Sequence, residues 1–464
     1  MLPSKRAFIL LTIDLITAVS SWSSFYYFRK IRIEKVVFNV DETFFWGVVL
    51  IPLAWLVLYS LQGTYADVKR LYRIKIFNLT FLATTIGATA IFFVFLLDDS
   101  INNYQLYYRS IIALFFIHFA VTFVPRIIFT SIQVKRIHKG QDGFKTLLLG
   151  GSDKAVGIYR EIENLPKGIG ANFVGFVNLN GIDKLLENEL VYLGHVDNLE
   201  TIIREYEVEE VIIALESTEH LRLGSLIARL SGTGIKIKVL PDMYDILSGS
   251  VKMNNIFGAL LLEVNADRMP VWQKSVKRFM DLLLSLIAMV LLIPFYIGLA
   301  IAVKCSSKGP VFFLQERIGL KSKPFRIIKF RTMYTDAEAA GPRLSSSHDP
   351  RITSVGRFMR KARLDEFPQF WNVVKGDMSL VGPRPERQFY IDQIVAREPQ
   401  FLQLTTIRPG ITSWGQVKYG YAENVDQMLQ RMKFDLLYLK NMSLALDIKI
   451  MLYTILIVFK AKGK

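Results

Sequence analysis

Four runs of apolar residues open the chain, roughly Ala7–Phe28, Phe44–Leu61, Phe77–Leu97 and Ile111–Ile132. Each is long enough to cross about 30 Å of hydrocarbon as a helix. The first lacks a small-residue cleavage site and is followed by three like it, so it reads as a span and not as a signal peptide. Lys5 and Arg6 precede the first run, Lys69, Arg70, Arg73 and Lys75 separate the second from the third, and Lys135, Arg136 and Lys139 follow the fourth. Asp98 and Asp99 occupy the third connection. Basic residues favour the cytoplasmic side, which places the N-terminus and the region after the fourth run there. Arg29, Lys30, Arg32 and Lys35 in the first connection run against that orientation. Asp14, inside the first run, is costly in lipid and is expected to face other helices.

From Lys145 to about Leu247 the period changes. KTLLLGG, NFVGFVN, EEVIIAL and IKIKVLP read as short buried strands, alternating with the amphipathic segments DKAVGIYREIE, NLETIIREYE and LRLGSLIARL. Such alternation predicts a parallel α/β unit. Gly150-Gly151 after the first strand resembles a dinucleotide loop, but Gly157 is misplaced for G-x-G-x-x-G, and no acid closes the second strand. Residues 248–276 read as a linker. Lys277–Lys304 is apolar with cations at both ends and Pro294 inside, so a sharp bend is expected. A helix that enters and leaves the cytoplasmic face keeps the following region on that side. VFFLQERIGLKSKPFRIIKFRTM then predicts two strands with a turn near Gly319–Lys323, and the closing apolar run, carrying Asp447 and Lys449, a helix lying on the membrane surface.

Composition sharpens this picture. Of 464 residues 51% are hydrophobic, and the formal net charge is +16; mean hydropathy is +0.30. With apolar spans present, that charge points to anionic lipid and phosphorylated substrates and not to nucleic acid. Cys305 is the single cysteine, which excludes intrachain disulfides and thiolate zinc sites. The five histidines show no ligand spacing, and His348 falls in a Ser-rich loop.

The candidate chemistry lies in GRFMRKARLDEFPQFWNVVKGDMSLVGPRP, where Asp365 and Glu366 follow a basic run containing Arg357, Arg360, Lys361 and Arg363. Asp is a good N-cap and proline suits a first helical turn, so Pro368 predicts a helix starting near Asp365 and stopping at Lys375-Gly376. Two carboxylates there suit a divalent metal and phosphate oxygens. Lys329 and Arg331 close the second predicted strand, and Arg351 follows Asp349-Pro350. Prolines or glycine stiffen the chain around Arg384 and Arg408. This set of cations around an acid pair predicts anion recognition.

KFRTM, RLDEFPQFWNV, KGDMSLVGPRP and RPGIT resemble the bacterial sugar transferases, the polyprenol-phosphate hexose-1-phosphate transferases, from about Trp272 to the C-terminus. Four spans followed by an α/β domain are similar to the long polytopic members. The resemblance implies transfer of a hexose 1-phosphate from a UDP-sugar to undecaprenyl phosphate at the cytoplasmic face of the bacterial inner membrane, with release of UMP. It implies Asp365 as the nucleophile that forms an aspartyl-phosphosugar intermediate, Glu366 as its partner around Mg²⁺, and Lys329, Arg331, Arg351, Arg360, Arg384 and Arg408 as phosphate-binding residues. Pro294 would bend the family's re-entrant helix. Ile293 stands where some members carry a hydroxyl residue, and Ser413 and Gly415 alter the segment after RPGIT. The architecture expected is then four transmembrane helices (1–140), a Rossmann-like α/β domain (141–247), the linker (248–276), a re-entrant helix (277–304) and a C-terminal α/β catalytic domain (305–464). Such an assembly can support a homodimer.

Two other readings use the same features. A membrane-anchored nucleotide-sugar dehydratase or epimerase needs a full glycine loop and a Tyr-x-x-x-Lys pair, and no tyrosine after Lys145 has a lysine four residues on. A scaffold of a polysaccharide-export complex leaves the acid pair and the stiffened arginines without a purpose. The identity of the hexose is not legible in the chain.

Overall fold

The computed structural model describes residues 4–96, 104–165, 170–179, 185–215, 220–230, 233–240, 261–264, 269–337, 341, 349–420 and 422–459. Asp98, Asp99, His348 and much of the expected linker lie outside the described residues. The chain forms two compact units, Met1–Phe144 with Ile162–Asn172, and Lys145–Glu161 with Phe173–Lys464.

The first unit is built on α1 (Lys5–Phe28), α2 (Glu42–Gln62), α3 (Arg73–Ile91) and α4 (Tyr104–His138). Ser4 and Asp41 cap α1 and α2 by accepting from the Ala7 and Phe44 amides, and Gly63 in the left-handed region ends α2. All four helices are long and apolar enough to cross a membrane, which marks the chain as a membrane protein. Their packing is polar inside and apolar outside. Asp14, Ser21, Thr80, His118, Thr122 and Arg126 are fully buried, whereas Phe8, Ile16, Phe45, Trp46 and Phe116 are exposed. That inversion suits a lipid solvent.

Its centre is an ion pair. Arg126 donates from Nε to Asp14 Oδ1 at 2.7 Å and from Nη2 to Oδ2 at 2.8 Å, and from Nη1 to Thr80 at 3.0 Å. Tyr65 donates to the same carboxylate, and the guanidinium lies 3.9 Å over the Tyr59 ring. Tyr59 and Ser21 in turn bracket His118 at 2.7 and 2.8 Å. Asp14 therefore faces other helices, as expected, and its partner is a full charge. The basic first connection is softened too: Arg29 and Lys30 each lie 2.8 Å from Glu34.

In the second unit a sheet runs β3-β2-β1-β4-β5-β6. It comprises β1 (Phe144–Leu149), β2 (Ala171–Asn178), β3 (Tyr192–His195), β4 (Glu210–Ile213), β5 (Lys236–Val239) and β6 (Leu262–Glu263). β4 is parallel to both β1 and β5, β2 is parallel to β3, and β6 is antiparallel to β5. Leu147, Leu149, Val211, Ile213 and Ile237 form a core with α6 (Leu199–Glu205) and α7 (His220–Leu230), and α5 (Asp153–Glu163) follows β1. Sequence periodicity anticipated β1, β2, β4, β5 and all three helices; β3, whose YLGH is only partly buried and carries no apolar run, and the two-residue β6 were not anticipated. Gly157 lies within α5, and a Cβ there would meet no atom within 4 Å, so it is not a glycine demanded by close packing.

α8 (Val271–Leu291) and α9 (Ile293–Ser306) follow, bent by 63° at Leu292, with Pro294 in the first turn of α9. α8 begins inside the stretch expected to be linker, and β6 also lies there; both are correctly structural. The reason is a polar stripe on α8. Lys277 contacts the Val381 carbonyl and Asp447, Arg278 the Val373 carbonyl, and Asp281 accepts from Ser379 Oγ and the Leu380 amide. Phe279, Leu283, Leu286, Ile287 and Val290 are left exposed. The remainder is β7 (Phe312–Ile318) antiparallel to β8 (Pro324–Phe330), then α10 (Ser354–Lys361), α11 (Gln369–Lys375), β9 (Ser379–Val381), α12 (Gln388–Arg397), β10 (Gly410–Thr412) parallel to β9, α13 (Trp414–Lys418), α14 (Val425–Lys440) and α15 (Leu444–Phe459). At Gly382 and Gly410 the two chain segments meet so closely that a Cβ on either would run into the other's backbone.

The buried pair in the first unit predicts a sharp asymmetry. Arg126→Met strands the Asp14 charge and should cost about 3–5 kcal/mol. The double variant Asp14→Leu/Arg126→Met should recover most of that loss in the thermal denaturation midpoint of the protein in lipid nanodiscs. An equally low midpoint in the double variant would remove the pair as the determinant.

Candidate active site

The acid pair is carried on a single tight turn. Leu364–Glu366 is 3₁₀-helical, entered through Arg363 at φ 56°, and α11 starts only at Gln369 with Pro368 at its cap position. The expectation that Asp365 caps the helix is thus corrected. Arg363, a non-glycine residue in the left-handed region, makes a separate turn that carries both acids ahead of the helix. The stop at Lys375-Gly376 stands, with Gly376 at φ 102°. Asp365 and Glu366 are 8% and 5% exposed.

Both line a cavity of about 360 Å³ whose walls include Lys329, Arg331, Arg360 and Arg384. Glu366 Oε1 accepts from Lys329 Nζ at 3.1 Å and from Arg384 Nη2 at 3.3 Å. Among the described residues the Asp365 carboxylate has no hydrogen-bond partner. The electrostatics divide accordingly. Burial works against the Glu366 charge, but Lys329, Arg384 and Arg363 outweigh it and hold that carboxyl well below its usual range. Burial pushes Asp365 up to about 6, opposed by Lys329 and reinforced by the Glu366 charge. Lys329 is itself lowered by burial, against the pull of Glu366.

The predicted cations separate into those the fold brings to this cavity and those it does not. Lys329 and Arg384 touch Glu366, and Arg360 reaches the cavity while donating from Nε to Thr332 Oγ1 at 3.0 Å. Arg331 lines the wall, yet its guanidinium is taken by the Lys308, Ser307 and Val303 carbonyls, ending α9. Arg351 is folded onto Asp349 at 2.6 Å and the Ala337 carbonyl, outside the cavity. Arg408 donates to the Gly376 carbonyl at 3.0 Å, also outside it. Pro294 lies at the helix bend.

Several lining residues were not anticipated: Arg317, Glu386, Arg387, Tyr390 and Arg431. Arg317 had a signal, since it sits two residues from Gln315 on β7 and both line the cavity. Glu386 and Arg387 directly follow GPRP. Nothing in the pattern of α14 marks Arg431.

Comparison with known proteins identifies the family. The bacterial sugar transferase family model matches residues 272–461. An uncharacterized sugar transferase of Haemophilus influenzae is 30% identical over 337 residues, 68% of this chain and 69% of that protein. The chain belongs to the bacterial sugar transferase family. A CoA-binding domain model matches residues 46–241. The UDP-N-acetylgalactosamine-undecaprenyl-phosphate N-acetylgalactosaminephosphotransferase of Aeromonas hydrophila is 39% identical over 233 residues, covering 49% of this chain and 53% of that protein. The UDP-glucose:undecaprenyl-phosphate glucose-1-phosphate transferase of Escherichia coli is 30% identical over 266 residues, 57% of each. The chain thus spans a little over half the length of these two relatives.

As a member of this family the chain poses the question of a divalent ion. Among the described residues no cluster of three or more His, Cys, Asp or Glu exists to hold a metal with protein ligands alone. Two carboxylates facing one cavity, Asp365 without a protein partner, nonetheless fit Mg²⁺, which binds through one or two carboxylates and fills its remaining positions with water and phosphate.

The raised Asp365 carboxyl has a measurable sign. Its proton is held more tightly in the folded chain, so this group favours folding below about pH 4 and stops doing so as pH rises through about 6. Asp365→Asn should match the wild type near pH 4 and show a higher denaturation midpoint above pH 6 in metal-free buffer. Identical midpoints across that range would contradict the burial argument.

Proposed function

We propose that the protein transfers a hexose 1-phosphate from a UDP-sugar to undecaprenyl phosphate, releasing UMP, as the first membrane step of polysaccharide synthesis. The observation that carries this reading is the unpartnered, buried Asp365 beside a Glu366 fixed by two cations, facing one cavity in a member of this family. The curated relatives named above support it, since both act on undecaprenyl phosphate.

In this reading Lys329, Arg360 and Arg384 bind the diphosphate, and their charges stabilise the phosphate that departs. A carboxylate oxygen of Asp365 attacks the sugar-bearing phosphorus, and the P–O bond to UMP breaks with its electron pair leaving on UMP. The phosphate of the lipid then attacks the same phosphorus, the bond to Asp365 breaks, and the carboxylate is restored. Glu366 stays ionised and keeps Lys329 and Arg384 in place. Asp365 and Glu366 would hold Mg²⁺, which supplies further charge neutralisation on the phosphate oxygens. Arg331 ends α9 at its carbonyls and so holds the cavity wall to the membrane helix.

We further infer that α8 and α9 form a re-entrant element, with the site at the cytoplasmic face of the inner membrane. Both arms are tied to one body: Lys277 and Arg278 of α8 reach β9 and α11, and Tyr296 of α9 donates to the Phe367 carbonyl at 2.7 Å. A 14-residue arm is about 21 Å long, so two arms leaving the surface at equal angles with a 63° deflection dip only about 11 Å. That is too shallow to cross about 30 Å of hydrocarbon.

Two experiments test these readings. Purified protein with Mg²⁺, undecaprenyl phosphate and UDP-glucose or UDP-N-acetylgalactosamine should release UMP, chelation should abolish release reversibly, and Asp365→Asn should lose roughly 10³-fold or more. Release undiminished in Asp365→Asn would overturn the assignment. For topology, the exposed Cys305 and a cysteine introduced as Trp272→Cys in a Cys305→Ser background should both react with an impermeant maleimide from the cytoplasmic side. Labelling from opposite sides would mean a full crossing.

A further inference from the structure

The cavity holds a third acid, held between two cations as Glu366 is. Glu386 is 5% exposed and lines the wall. Its Oε2 accepts from Arg317 Nη1 at 3.2 Å, and its Oε1 accepts from Arg431 Nη2. Arg317 is itself fixed by the Gln315 side chain at 2.7 Å and the Pro385 carbonyl at 3.1 Å. Asp435, which accepts from the Gly415 amide at 2.8 Å, lies beside Arg431. The Glu386 carboxylate is therefore oriented from two sides while keeping acceptor capacity, because two oxygens offer about four lone-pair sites and the arginines take two.

Its position along the chain is informative. Arg384, which touches Glu366, and Glu386 are separated by Pro385, so at most about 7 Å of chain divides them. A diphosphate bound at Arg384 places the ring attached to it against Glu386. An ionised carboxylate that can only accept is matched by the two donors of a vicinal diol, the same pairing by which an acid grips ribose hydroxyls in dinucleotide sites.

We propose that Glu386, clamped by Arg317 and Arg431, is a specificity-determining residue that accepts hydrogen bonds from a vicinal diol of the donor substrate. The inference rests on the transfer reaction proposed above for its choice of donor. Both the ribose and the hexose of a nucleotide sugar carry such hydroxyls, and the experiment separates them. The clamp holds the carboxylate immobile, so a donor that lacks a hydroxyl loses a hydrogen bond to a fixed acceptor and binds more weakly.

The test uses the full-length protein in nanodiscs and reads donor binding by calorimetry apart from UMP release. The probes are UDP-glucose or UDP-N-acetylgalactosamine, whichever binds, its 2′-deoxyribosyl analogue, and its 3-deoxy- and 4-deoxyhexosyl analogues. The wild type should bind one of the two analogue classes about tenfold or more weakly than the parent. Loss with the deoxyribosyl analogue assigns the nucleoside, and loss with the deoxyhexosyl analogues assigns the transferred sugar. Glu386→Gln should raise KM for the parent donor by a similar factor, keep kcat within about twofold, and no longer distinguish parent from analogue. Equal binding of the parent and every analogue by the wild type overturns the proposal without any variant. So does a Glu386→Gln protein that loses kcat equally with all donors, which is the signature of a purely structural clamp. Analogue discrimination without UMP release would sink the transfer reading and leave this one standing.

Discussion

Two neighbouring carboxylates on one turn are treated oppositely by their surroundings, and the cavity is organised around that difference. Glu366 is pinned by Lys329 and Arg384, so its charge is secured by partners. Asp365, one residue away, is equally buried but receives no hydrogen bond among the described residues, so its charge is exposed to whatever enters the cavity. Pairing one acid and leaving the other open keeps a carboxylate available to a ligand without burying two uncompensated charges side by side. Both acids sit on the short 3₁₀ turn entered through the left-handed Arg363, ahead of the helix that starts at Gln369.

Placement of that turn depends on the bent pair α8 and α9 as much as on the elements around the cavity. α8 spends its polar stripe on β9 and α11, and α9 ends where the Arg331 guanidinium collects three carbonyls. The exposed side of α8 is aliphatic and aromatic. The same segment therefore turns an apolar face outward and supports the acid-bearing region with the other. The N-terminal helices follow the complementary rule, with charge and hydroxyls at the centre and apolar side chains outward.

The cations show where linear reasoning succeeds and where it stops. Lys329 and Arg384 contact Glu366 and Arg360 lines the same cavity, and KFRTM, RLDEF and GPRP in the chain signal the first two. Arg331, Arg351 and Arg408 carry the same charge, the last two beside prolines, yet they serve a helix end, a local Asp349 pair and a backbone carbonyl. A guanidinium has five donors, and backbone carbonyls at helix ends compete for them as effectively as a phosphate does. Which of these wins depends on distances across the fold. Arg431 makes the converse case: it comes from a helix with no motif and reaches Glu386 only through packing.

Periodicity along the chain was enough to mark the four apolar helices, the alternation of strands and helices after Lys145, the bend near Pro294 and the acid pair itself. These are local properties, set by hydrophobic spacing, backbone chemistry and the few residues that can start or stop an element. Partner choice is not local. That Arg126 answers Asp14, that α8 is a support and not a linker, and that Asp365 is left unpaired while Glu366 is not, each requires groups far apart in the chain to meet. Burial decides these outcomes, because only in a low-dielectric interior does one missing or present partner outweigh the cost of removing a charge from water.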